Sequence, residues 1–123
     1  MAESHDSQTL GRRVNEIVLL WALDRRPMHG YQAALEIERR SGGYFSFNHG
    51  TLYPILHRLE KEGVIAGEWS DPEEGRARKE YALTEAGRTY LEEISRTWRT
   101  LAERLEPFLS PGDSDESVRT GVA

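Results

Sequence analysis

Asn48-His49-Gly50-Thr51-Leu52-Tyr53-Pro54-Ile55-Leu56-His57-Arg58-Leu59-Glu60-Lys61-Glu62-Gly63 is the stretch whose reading decides the fold. Leu52, Ile55, Leu56 and Leu59 fall at i, i+3, i+4 and i+7, so a helix through them buries one narrow stripe. Asn48 is a good N-cap, because its side-chain oxygen can accept one of the amide protons that a helix N-terminus leaves unpaired. Gly63 closes the helix in a left-handed cap, with Val64 packing back on Leu59 as the hydrophobic partner of a Schellman motif. At 100° per residue, Gly50, Tyr53, Pro54, His57 and Lys61 lie away from the stripe, and Arg58 flanks them.

Toward the N-terminus, Leu10, Val14, Ile17, Val18 and Trp21 recur at helical spacing, and Leu20 and Leu23 widen the apolar face, which predicts a helix over 10–23 buried on more than one side. Arg25-Arg26-Pro27 breaks it. A second helix is predicted from Gly30 to Arg40, with Tyr31, Ala34, Leu35 and Ile37 inward and Gly42-Gly43 as its stop. Tyr44-Phe45-Ser46-Phe47 reads as one short strand or a packed loop.

Toward the C-terminus, residues 65–70 and 77–83 are extended candidates, with Ile65, Trp69, Tyr81 and Leu83 inward. The turn-forming run Asp71-Pro72-Glu73-Glu74-Gly75 between them predicts a β-hairpin. Thr84 then caps a long fourth helix from Glu85 to about Leu109. Its Leu91, Ile94, Trp98, Leu101, Leu105 and Phe108 follow each other at steps of 3, 4, 3, 4 and 3, a heptad seam. Residues 1–9 carry no periodic pattern and 110–123 are polar and acidic, so both are expected to be disordered tails around an ordered body of 10–84 and a helix of 85–109.

Composition bounds the function. A chain of 123 residues has room for one modest core, which excludes multidomain enzymes. Sixteen basic against 21 acidic residues give a net charge of −5, so any contact with nucleic acid comes from a local basic surface and not from bulk charge. The absence of cysteine removes disulfides, thiolate metal sites and thiol nucleophiles together. The four His never pair at i, i+4 with a carboxylate partner, and no phosphate-cradling glycine loop or nucleophile elbow is present, so neither a metal nor a cofactor is expected and an enzyme is disfavoured. No apolar run approaches a membrane span and the first ten residues do not look like a signal peptide, which makes a cytoplasmic location the default.

Three helices, a hairpin and a fourth helix make a mainly α winged helix-turn-helix with a β-hairpin wing and a long C-terminal helix for dimerisation. The third helix is of a size to enter a major groove, where polar side chains of its first turns read base edges. Asn48, His49, Tyr53 and His57 would be the readers, on a face shared with Gly50, Thr51 and Pro54. Arg58 and Lys61 would lie near the backbone, and Arg76, Arg78 and Lys79 would hold phosphates from the wing. Each of these taken alone is an ordinary solvated side chain; their convergence on one surface makes the case.

The same residues carry a family resemblance. Met28-His29-Gly30-Tyr31, Gly50-Thr51-Leu52-Tyr53-Pro54-Ile55-Leu56-His57-Arg58-Leu59-Glu60, Gly75-Arg76-Ala77-Arg78-Lys79-Glu80-Tyr81 and Leu83-Thr84-Glu85-Ala86-Gly87-Arg88 resemble the PadR-like transcriptional regulators. The resemblance spans about Val14 to Leu109 and is most specific in the third helix. It implies a homodimeric DNA-binding repressor of the compact branch with a single C-terminal helix. It also implies structural roles for the residues that open the second helix, with Tyr31 packed and His29 holding a backbone group. Ala77 stands where the family usually has Pro, and the wing turn is acidic, so wing contacts are less firmly implied than helix contacts.

The seam of Leu91, Ile94, Trp98, Leu101, Leu105 and Phe108 is expected to join the wide apolar face of Leu10, Val14, Ile17 and Trp21 in a homodimer interface. Two-fold symmetry would bring Trp98 near its counterpart, where two facing indoles would form a slot for a small planar aromatic effector, the alternative being that Trp98 is a large heptad residue that simply fills the seam. The expected partners are therefore a pseudo-palindromic duplex operator, a second copy of the chain and that effector, with no membrane. The competing reading is a winged helix used as a protein-interaction module without specific DNA binding, favoured by the negative net charge.

Overall fold

A computed structural model describes residues 2–70 and 78–109, with side chains from residue 11 onward. The chain forms two compact units, Met1–Leu91 and Glu92–Ala123. The first holds α1 (Ala2–Arg25), β1 (Met28–His29), α2 (Gly30–Arg40), α3 (His49–Lys61), β2 (Ile65–Trp69), β3 (Lys79–Leu83) and the start of α4 (Glu85–Leu109). The described part of the second unit is the remainder of α4.

The core is one cluster in the first unit. Leu19, Leu20 and Leu23 of α1 meet Ala33, Ala34 and Ile37 of α2, the full α3 stripe of Leu52, Ile55, Leu56 and Leu59, and Met28, Ile65 and Tyr81 from the strands. The caps of α3 form as its sequence requires. Asn48 Oδ1 accepts the Thr51 amide at 2.9 Å. Gly63 sits at φ 82°, its amide donating to the Glu60 carbonyl and that of Val64 to the Leu59 carbonyl, the paired bonds of a Schellman cap. Gly42 and Gly43 end α2 the same way, at φ 63° and 86°.

The cap of α3 also seats α4. Thr84 donates its amide to the Val64 carbonyl at 3.1 Å and its hydroxyl to the Gly63 carbonyl at 2.7 Å, while its oxygen accepts the Gly87 amide at 3.0 Å as the N-cap of α4. The helix approaches so closely that a Cβ on Gly87 would lie 1.9 Å from the Val64 carbonyl oxygen.

Several expectations need correction. α1 starts at Ala2, not at Leu10, so the backbone is helical where a tail was expected. Once Val14 to Leu23 anchor the helix, each further residue costs only propagation, and no proline intervenes. Residues 44–47 take the packed-loop form, one of the two expected of them, with Phe45 and Phe47 against the core. The hairpin is part of a three-stranded antiparallel sheet in the order β1-β3-β2, with Met28 opposite Tyr81; a two-residue strand is too short to show a period. Tyr31 and Leu35 are exposed, because α2 buries Gly30, Ala33, Ala34 and Ile37, a stripe that starts one residue earlier than the bulky residues suggested. Trp69 follows the strand alternation that buries Ile65, but by its position the hairpin has run past the core, and the ring is 68% exposed. The tail at 110–123 and the wing turn lie outside the described residues.

Candidate nucleic-acid interface

α3 presents one open face. His49, Gly50, Thr51, Tyr53, Pro54, His57 and Lys61 are all exposed, and the buried stripe lies opposite. The rings of His49 and Tyr53 stack with centroids 5.5 Å apart and planes 8° from parallel, which fixes both on the first turns of the helix. Pro54 sits inside the helix and has no amide to offer the Gly50 carbonyl. Asn48 spends its side-chain oxygen on the cap, so only its amide group remains to meet a ligand.

Two cations placed on this surface by the sequence are engaged elsewhere. Arg58 turns inward, where its guanidinium pairs with Glu16, a carboxylate buried in α1, and more distantly with Glu62 at 3.9 Å. The Tyr90 hydroxyl of α4 donates to the other oxygen of Glu16 at 3.1 Å. This knot ties three helices, so Arg58 holds α3 in place and is not a free phosphate contact. Lys79 bonds Glu60 of α3 at 2.9 Å, pinning the wing to the helix, and its ammonium lies 5.7 Å and 5.6 Å from the ring centroids of Trp69 and Tyr81. Lys61 and Arg78 are exposed, without a carboxylate partner among the described residues. Arg76 lies outside the described residues.

Sequence reasoning missed Glu16, although an acid between Val14 and Ile17 on an apolar helix face signals a buried pair. It also missed a groove of about 750 Å³ between α2, α3 and the wing, walled by Tyr31, Leu35, Tyr53, His57, Trp69 and Tyr81. His29 lines it as well, and its Nδ1 is buried without a hydrogen-bond partner among the described residues, so that nitrogen does not hold a backbone group there.

The hydroxyls of Tyr81 and Tyr90 are both held above their ordinary pKa of 10.0, mainly by burial; Lys79 partly offsets this at Tyr81, and the Glu16 charge adds to it at Tyr90. A raised acid stays protonated in the fold when the unfolded chain ionises. Its contribution to stability is therefore complete below pH of about 10 and is lost as pH rises through the folded value. Denaturation midpoints should fall between pH 9 and 11, and Tyr90→Phe should flatten part of that slope; an unchanged slope would remove Tyr90 from the account.

Of the residues expected at a dimer interface, Val14, Ile17, Trp21, Leu91, Ile94 and Trp98 are partly buried and Leu101, Leu105 and Phe108 are exposed; the side chain of Leu10 is outside the described ones. Trp21 packs against the core, with the guanidiniums of Arg25 and Arg40 at 5.2 and 5.5 Å from its ring centroid. Among the described residues no group of three His, Cys, Asp or Glu is placed to hold a metal ion, and no helix is long and apolar enough to cross a membrane.

An exposed recognition-type helix beside a β-hairpin is the arrangement found in known relatives. The chain is 35% identical over 91 residues to the transcriptional regulator Rv3488 of Mycobacterium tuberculosis, covering 74% of this chain and 71% of that one. It is 31% identical over 103 residues to an uncharacterised protein of Lysinibacillus sphaericus, covering 84% and 94%. A PadR family transcriptional regulator of Eggerthella lenta superposes with a TM-score of 0.69 at 28% identity, covering 89% of this chain and 95% of that one. The family described as transcriptional regulator PadR-like matches residues 19–93, the helices, strands and wing that build the exposed face of α3, and the chain belongs to that family of DNA-binding winged-helix regulators.

Proposed function

We propose that the chain is a homodimeric repressor that binds a pseudo-palindromic operator. His49, Tyr53 and His57 of α3 read base edges in the major groove, Lys61 and Arg78 hold flanking phosphates, and the Lys79–Glu60 pair sets the wing against the helix. The observation that supports this best is the common exposure of His49, Tyr53, His57 and Lys61 on one face of α3 while its other face is wholly buried. Dimerisation runs through the α4 seam of Leu91, Ile94, Trp98, Leu101, Leu105 and Phe108 with help from α1. Trp98 at its middle would be the contact for a planar aromatic effector that releases the operator.

Gel shifts with duplex from upstream of the chain's own gene test the reading, because regulators of this kind commonly act on adjacent DNA. Each good base contact is worth about 1–3 kcal/mol of discrimination. Replacing Tyr53 and His57 together by Ala should therefore reduce the preference for that duplex over random sequence by about thirtyfold to ten-thousandfold. Lys61→Ala should weaken both duplexes alike. A double variant that keeps its full preference would remove α3 as the reader. A chain that shifts no duplex would instead support a protein-interaction module, which the exposed aromatic groove favours.

A further inference from the structure

We propose that the groove between α2, α3 and the wing is a binding site for a small fused-ring aromatic monoanion, and that a ligand seated there excludes DNA. The site rests on geometry in the first unit alone; the exclusion rests on the DNA reading of α3 given above.

The groove has the size of a drug-scale ligand site, at about 750 Å³. Its walls are rings. Tyr31 is 60% exposed and Trp69 68%, and Tyr53 of α3 and the buried Tyr81 of β3 line the same groove. An isolated exposed aromatic needs no explanation, but several converging on one hollow form an apolar surface that soluble domains seldom leave open. Phosphate contacts do not account for it, because a sugar-phosphate strand would engage the polar edges of these rings and leave their exposed apolar faces uncovered. A flat apolar body wide enough to touch Trp69 and Tyr53 together covers that surface, which favours fused rings over a single small one.

The charge of the ligand follows from the cations. Among the described lining residues only Arg78 and Lys79 are charged and none is a carboxylate. Lys79 is already neutralised by Glu60. Among the described lining residues that leaves Arg78, exposed and without a carboxylate partner, which matches one anionic group. The ligand would thus lie against Trp69 and Tyr53 with its anion toward Arg78, over the face of α3 that bears His57. Ligand and duplex would compete for the same side chains, a direct exclusion distinct from any effect at Trp98.

The test uses 1-anilinonaphthalene-8-sulfonate, a fused-ring monoanion whose emission rises in apolar sites, on the full chain with Trp21→Phe and Trp98→Phe so that Trp69 is the sole indole. The expected result is saturable binding at micromolar concentration with matching quenching of Trp69. Trp69→Ala, in the otherwise wild-type chain, and Arg78→Gln should each weaken binding about tenfold, as should the uncharged analogue N-phenyl-1-naphthylamine. Circular dichroism confirms that these surface variants fold. Duplex that shifts in a gel should displace the dye. Unsaturable binding, or binding indifferent to both substitutions, overturns the site. Dye retained on a chain that has bound duplex overturns the exclusion. A chain that binds dye at Trp69 and Arg78 yet shifts no duplex upholds the ligand site and defeats the operator reading instead.

Discussion

Gly87→Ala should destabilise the fold by about 3 kcal/mol, the upper end of the range for forcing extra atoms into packed structure. The added methyl would sit 1.9 Å from the Val64 carbonyl oxygen and 2.9 Å from its carbon. Backbone cannot rotate away as a side chain can, and this carbonyl already accepts the Thr84 amide. Relief requires moving the start of α4, which would loosen the Thr84 hydroxyl from Gly63 and the Tyr90 hydroxyl from Glu16. For a domain of this size the loss corresponds to a drop of about 10 °C in thermal midpoint. Gly11→Ala is the control. It lies within α1 with nothing within 4 Å of the position a Cβ would take, so the same change there should stabilise by about 0.5–1 kcal/mol through helix propensity. Equal shifts in the two melts would show that the close approach at Gly87 carries no energetic weight.

That glycine also shows how the sequence can be read. Leu83-Thr84-Glu85-Ala86-Gly87 announces a capped helix, and the cap is there; the reason for the glycine is a contact with Val64, 23 positions earlier, that no local pattern contains. α3 was legible almost entirely, because a strict i, i+3, i+4, i+7 stripe between an Asn cap and a Gly cap leaves one solution. α2 was harder for a physical reason. Its inward face is made of small residues, and a Cβ on Gly30 would lie 2.7 Å from Leu56 Cδ1, so helix and helix approach where side chains are least bulky. Reading burial from bulk alone turned that helix by one residue, put Tyr31 and Leu35 in the core, and hid the groove they line.

The polar side of the site was legible as composition and not as pairing. Arg58, Lys61, Arg78 and Lys79 stand in the right elements, yet which of them is free depends on carboxylates that arrive from elsewhere in the chain. Glu16 comes from α1 to take Arg58, and Glu60 takes Lys79 across the gap between helix and wing. Such pairs convert cations suited to phosphate into struts. The basic surface left for DNA is correspondingly smaller than the count of Arg and Lys suggests, which places more weight on contacts from both halves of a dimer.

In the dimer proposed above, Leu101→Glu should therefore abolish operator binding although Leu101 is not among the proposed DNA contacts. Leu101, Leu105 and Phe108 are exposed in the single chain, Phe108 at 80%. Burying Leu101, Leu105 and Phe108 against a second copy yields at most about 5–9 kcal/mol gross at about 1.5–3 kcal/mol each, with less from the partly buried Leu91, Ile94 and Trp98, against about 4–15 kcal/mol lost in association. A seam so close to balance does not tolerate a carboxylate in its middle, since an unpaired buried charge costs several kcal/mol. The variant should sediment as a monomer at micromolar concentration. Each monomer keeps one reading helix, and without the second half-site held about 34 Å away it loses the gain of binding both at once, about a thousandfold in apparent affinity. The salt dependence is the sharper readout. Because the slope of log affinity against log salt counts neutralised phosphates, it should fall to about half in the variant. A wild-type chain that is itself monomeric under these conditions, or a Leu101→Glu variant that keeps both its affinity and its slope, would defeat the dimeric reading.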